Sequence, residues 1–150
     1  MTRSERALDF FHQGYNCAQS VLAAFADDLG LTVPTALKLS SGFGAGIGRM
    51  RSICGAFSAL TMVAGFSRGN TTPSLDDKEA IFSLIRTLAG EFEQAHGSLV
   101  CKNLLHLDDH VQESARPQER TAAYYASRPC EACIAFCAAR GEQILRQETY

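Results

Sequence analysis

The sequence predicts an all-α fold, a compact helical bundle, and three observations carry that prediction. Apolar residues recur at helical spacing along most of the chain. No segment alternates apolar and polar residues as a strand does, and cap residues or glycines bracket the periodic stretches. The links between those stretches are short enough to place successive helices side by side. At 150 residues the chain has the length of about one domain, and we read 1–150 as one unit.

The first helix is expected over 4–13, where Ala7, Leu8, Phe10 and Phe11 share the periodicity. The second covers 16–29, with Asn16 and Gln19 in a capping-box arrangement, Val21, Leu22, Phe25 and Leu29 on the apolar face, and Gly30 as its stop. Pro34 opens a short helix through Leu39. Gly42, Gly44, Gly46 and Gly48 then alternate, too flexible a run for a regular element. An apolar helix over 53–66, rich in alanine, should be buried on most sides and is closed by Gly69 and a turn over 70–74. The longest amphipathic stretch runs from 75 or 76 to 96, with Ile81, Leu84, Ile85, Leu88 and Phe92 on one face. A short helix follows over 98–107. Residues of about 108–127, polar and interrupted by Pro117, are expected to form a loop or a partly ordered, mobile arm, and 129–147 is the final helix, with Gly141 a weak point.

Composition excludes several functions. Net charge is −2 with both signs interspersed, so there is no basic patch for nucleic acid. No apolar run approaches the roughly 20 residues of a membrane span. The first residues carry acids and lack the apolar core of a signal peptide, so a cytoplasmic chain is expected. In a reducing compartment six cysteines point to metal binding, a reversible dithiol or buried thiols rather than a static disulfide frame.

Four of those cysteines fall where a helix should begin. Cys17 follows Asn16, Cys54 follows Ser52, Cys101 comes three residues after Ser98, and Cys130 follows Ser127-Arg128-Pro129. A thiol at a helix N-terminus feels the positive end of the dipole, which favours the thiolate that attacks disulfides and binds metals. Arg49 and Arg51 precede Cys54 and mark it as the thiol of lowest pKa. Gly55 beside it leaves room for a partner sulfur, a metal or a substrate backbone. Cys130 and Cys133 form a C-x-x-C at a helix start, and Cys133 and Cys137 share a helix face.

Three uses of this set are open. The thiols of Cys17, Cys54, Cys101 and Cys130 can form a dithiol–disulfide couple, the chemistry of a thiol oxidoreductase exchanging with a redox partner protein or a small thiol or disulfide. The same four can hold zinc or an iron–sulfur cluster, although scattered ligands lack the paired spacing of common zinc sites. Or the cysteines are small buried hydrophobes in an interaction protein, a homodimer built on the apolar helix 53–66. Other signals are weaker. GFGAGIG follows no strand, as a dinucleotide loop must, though beside Arg49 and Arg51 it could hold an anion. His106 and His110 flank two aspartates as a possible metal pair or a solvated helix end. His12 and His96 read as structural, and Tyr124-Tyr125 as an interface anchor or a packing pair.

The cysteine surroundings resemble a family of small proteins with a proposed redox role, named after its pattern C-GCAxxG-C-C. The resemblance rests on Gly14-Tyr15-Asn16-Cys17-Ala18-Gln19, the glycine-rich approach over 41–50, Cys54-Gly55-Ala56, and Gly97-Ser98-Leu99-Val100-Cys101. By its distance from Ala138 and Ala139, Cys130 is the match for the fourth cysteine, with Cys133 and Cys137 as alternatives. It covers most of the chain apart from the polar arm and implies a redox role without a defined reaction. Two departures stand out: Ala59 replaces the closing glycine of CGAxxG, and Cys133 and Cys137 lie beyond Cys130.

Overall fold

The computed structural model describes residues 1–108 and 113–147; Asp109 and His110 of the His106–His110 segment lie outside them. Among the described residues the regular structure is helical: α1 Arg3–His12, α2 Cys17–Ala24, α3 Val33–Ser40, α4 Gly55–Arg68, α5 Leu75–His96, α6 Cys101–Leu104, α7 Ala122–Ser127 and α8 Cys130–Arg146. A single 3-10 turn, Ser41–Phe43, follows α3. The all-α expectation holds.

The core forms where α1, α2, α4 and α8 pack on one another, with α3 against α2 and α5 against α4. Phe11, Phe25, Leu60, Val63, Phe92, Ile134 and Ile144 are fully buried there. Burying each large side chain contributes about 1.5–3 kcal/mol before conformational entropy is counted. Ala56, Ala59 and Ala64 are also fully buried, so α4 brings its backbone close to its neighbours. That helix spends its apolar residues on the chain's own core, and only its end, at Phe66, offers a large exposed side chain.

Asn16 caps α2 through the expected box: its side chain accepts from the Gln19 amide, and Gln19 accepts from the Asn16 amide. The helix stops at Ala24, earlier than the periodicity implied, and turns carry the chain to Gly30, which has φ +69°. Ser52 and Ser127 do not cap helices. Cys54 itself stands at the N-cap of α4 and Pro129 at that of α8, neither with a side-chain cap bond. Ser98 stays close to its expected role: its Oγ accepts from the Val100 amide and the Asn103 side chain just before α6.

The glycine-rich stretch has a definite shape. Ala45, Gly46, Ile47, Gly48 and Arg49 all have φ between +54° and +70°, a left-handed turn in which three residues carry side chains. Each non-glycine there costs about 1–2 kcal/mol. The turn is held by Gly48 N–H to Gly42 O (2.9 Å), Arg51 N–H to Ala45 O (3.2 Å) and Ser52 N–H to Gly46 O (2.8 Å). Gly46 is required twice over, by its φ of +70° and because a Cβ there would stand 2.5 Å from the Ser52 nitrogen.

The polar arm is fastened down. Glu113 pairs with Arg49 and Arg51, Arg49 donates to the carbonyls of Ser114 and Arg116, and Arg128 donates to Gln118. The arm also contains α7, capped by Thr121. Arg120 donates to the carbonyl of Phe11 (3.2 Å) in the last turn of α1, where helix carbonyls lack intrahelical partners, and to that of Tyr15 (3.0 Å) in the loop beyond it. No described helix is long and apolar enough to cross a membrane.

Candidate functional site

The helix starts converge. Cys17, Cys54, Cys101, Cys130 and Cys133 line one cavity of about 100 Å³, together with Arg49, Arg51, Arg120 and Arg128. Cys17, Cys101 and Cys130 stand at the first positions of α2, α6 and α8, and Cys54 at the N-cap of α4. Cys101 and Cys54 are held in register by a small antiparallel exchange. The Cys54 amide donates to Leu99 O (2.8 Å) and the Cys101 amide to Ser52 O (2.6 Å), around the Ile53–Val100 bridge.

Gly55 lets α4 begin against the sulfur of Cys17. A Cβ on Gly55 would stand 2.7 Å from Cys17 Sγ and 2.7 Å from Phe43 O, so the room expected beside Cys54 is filled by a partner sulfur. Thiol–thiol interactions run on from Cys17 to Cys54 and from Cys54 to Cys133. The uncapped amides of α4 face these sulfurs: Ala56, with Ala45 of the left-handed turn, favours the Cys17 thiolate, and Phe57 favours that of Cys54. No disulfide is formed among the six cysteines. Cys133 therefore belongs to the site. Cys137, one helix turn further on, is buried in the core and does not line the cavity.

The expectation that Cys54 has the lowest pKa is overturned. Its interaction with Cys133 and its burial push it up to about 12, against a pull from Cys17. Cys17 is raised well above the ordinary range by its interaction with Cys54 and by burial. Cys130 is pushed up to about 12 by burial and by its neighbours Cys17 and Cys101, and Cys137 is raised by burial. A helix N-terminus supplies about 0.3–1 kcal/mol, less than one pKa unit, whereas full burial can cost 3–5 units. Desolvation wins. The two arginines are also not aimed at Cys54. Arg51 Nη1 donates to Cys101 Sγ at 3.7 Å while its Nε and Nη2 hold Glu113, and Arg49 is engaged with Glu113 and the arm. Burial raises Cys101 as well, but the Arg51 guanidinium opposes it. Among these thiols Cys101 alone carries a hydrogen bond from a cation.

Among the described residues no group of three or more His, Cys, Asp or Glu side chains is arranged to hold a metal ion. The four-thiolate set of Cys17, Cys54, Cys101 and Cys130 thus does not close into ligand geometry. His12 binds Glu131 at 2.6 Å on the surface, and His96 packs against Phe92 and Phe136 with its Nε2 unpaired. Tyr124 and Tyr125 pack inward, stacking with Arg120.

Reading the residues alone missed Glu113, Arg120 and Arg128, whose only sequence signal is alternating charge beside the tyrosine pair.

No curated protein and no solved structure matches the chain significantly. The model of the family described as "Putative redox-active protein (C_GCAxxG_C_C)" matches residues 15–144, a span that holds all six cysteines and the glycine-rich turn. The cavity gathers the family's cysteines at helix starts, and the chain belongs to the C-GCAxxG-C-C redox-active family.

Proposed function

We propose that this protein is a thiol oxidoreductase that exchanges a dithiol for a disulfide. Supporting this is one observation: three thiols, Cys17, Cys54 and Cys133, interact in series beneath a cavity that Cys101 and Cys130 also line. In the reaction the Cys101 thiolate, paired with Arg51, attacks one sulfur of a bound disulfide. The substrate S–S bond breaks, and one half leaves as a thiolate that takes a proton from water. Cys17 then attacks Cys101 Sγ, the mixed disulfide breaks and the second half leaves as a thiol. Two protein thiols are oxidised, one substrate disulfide is reduced to two thiols, and electrons balance. Cys54 next to Cys17, and Cys133 next to Cys54, can carry the disulfide inward by the same exchange. A small dithiol reductant restores the resting state.

The test is a thiol titration under native conditions before and after mild oxidation with a small disulfide. Accessible thiols falling in pairs, with the protein still monomolecular on a non-reducing gel, support the proposal. Loss of single thiols into intermolecular adducts contradicts it.

A further inference from the structure

Resting on that reading, we infer that the substrate is a small anion, bound by the arginines of the thiol cavity beside Cys101. The chain as a whole carries a net charge of −2, yet among the described residues four arginines and no aspartate or glutamate line this cavity. Glu113 is shared between Arg49 and Arg51 from outside the lining. Arg120 meets backbone carbonyls and the rings of Phe11 and Tyr124 at 4.6 and 4.8 Å. Arg128 meets the Gln118 side chain and the Tyr124 ring at 5.0 Å. Those contact partners are neutral, and the Glu113 carboxylate acts on Arg128 only through space, without a salt bridge. Aromatic faces hold a guanidinium in place without neutralising its charge.

Charge and size together restrict the ligand. A cavity of about 100 Å³ fits a carboxylate or similar group on a chain of a few atoms and does not enclose a folded partner. Low-dielectric walls focus the positive field on the same space as the sulfurs. The substrate is thus a short disulfide with an acidic group on the half that enters. Its negative group lies on the arginines, and the adjoining sulfur meets Cys101 for the exchange written above. Neutral disulfides of the same size lose the attraction.

Iodoacetate and iodoacetamide test this directly, since both fit the cavity and differ in charge. Alkylation of Cys101 in the intact reduced protein is followed by mass spectrometry with each reagent, and free cysteine in the same buffer gives the reference ratio. The expected result is an iodoacetate-to-iodoacetamide rate ratio about tenfold or more above that of free cysteine. It should fall toward the reference in high salt and in Arg128→Gln. The salt series in the unmodified chain stands even if the variant folds poorly. A ratio equal to or below the reference, with both reagents modifying Cys101, overturns the anion proposal and leaves the thiol reading intact. Failure of both reagents to modify Cys101 overturns the two together.

Discussion

Arg51 Nη1 lies 3.7 Å from Cys101 Sγ, while the other two nitrogens of the same guanidinium grip Glu113 at 2.6 and 3.1 Å. The carboxylate orients the fork, and the remaining donor reaches the sulfur. Replacing Arg51 with Gln removes the cation that opposes burial, so the Cys101 pKa rises. Its alkylation near neutral pH should slow about tenfold for each unit gained. Arg51→Lys supplies a charge without the fork and should recover part of the rate. Site-resolved alkylation kinetics as a function of pH measure both.

Stability should fall in alkali. Burial and thiol contacts raise Cys17, Cys54, Cys130 and Cys137 in the folded chain. A group raised on folding contributes stability that is fully present below its unfolded value, near 9, and is lost as pH rises through its folded value. Cys54 and Cys130 place that window between about 9 and 12. Thermal melts under reducing conditions should therefore change little between pH 6 and 8 on account of these thiols and drop steadily above about 9. A melting temperature that is flat to pH 11 would show that the thiols are not buried as described.

Gly55→Ala should destabilise the protein by about 1–3 kcal/mol, the usual cost of overpacking, because the methyl meets Cys17 Sγ and Phe43 O at 2.7 Å. The backbone oxygen cannot swing away as a flexible side chain could. Denaturant unfolding gives the loss. An unchanged midpoint would mean that α4 does not start against Cys17.

Glu113→Gln should loosen the arm. Two guanidiniums hold the Glu113 carboxyl below its ordinary range, so this attachment stabilises at pH values above about 4.5 and is lost as pH falls through the lowered value. The variant should be cut faster by a protease within 113–121 at pH 7, and the unmodified chain should approach that rate in mild acid. Equal cleavage rates at pH 7 would contradict the fastening.

Much of this architecture is legible in the sequence, because helix caps and periodicity are local. Asn16 and Gln19 announce α2, Gly97 ends α5 with φ +95°, and four cysteines at helix starts mark the places that converge. What the sequence could not show is depth. Arg49 and Arg51 are neighbours of Cys54 in the chain, but the left-handed turn carries them to Glu113 and Cys101, and their proximity to Cys54 along the backbone misled. Cys133 is legible as the second half of a C-x-x-C with Cys130 or as a buried thiol, but nothing local reveals that α8 sets it against Cys54. Arg120 was read as part of a mobile segment because its partners, the carbonyls of Phe11 and Tyr15, lie more than a hundred residues away.

Disulfide mapping after brief oxidation with a small acidic disulfide reaches the central claim most directly. The reduced protein is oxidised, trapped with a neutral alkylating reagent, digested and sequenced by mass spectrometry, alongside Cys101→Ser. The predicted result is an intramolecular link of Cys17 to Cys101, passed on to Cys17–Cys54 or Cys54–Cys133, formed quickly in the unmodified chain and slowly in Cys101→Ser. Links that join none of these pairs, or equal rates in the two proteins, would contradict a thiol relay entered through Cys101.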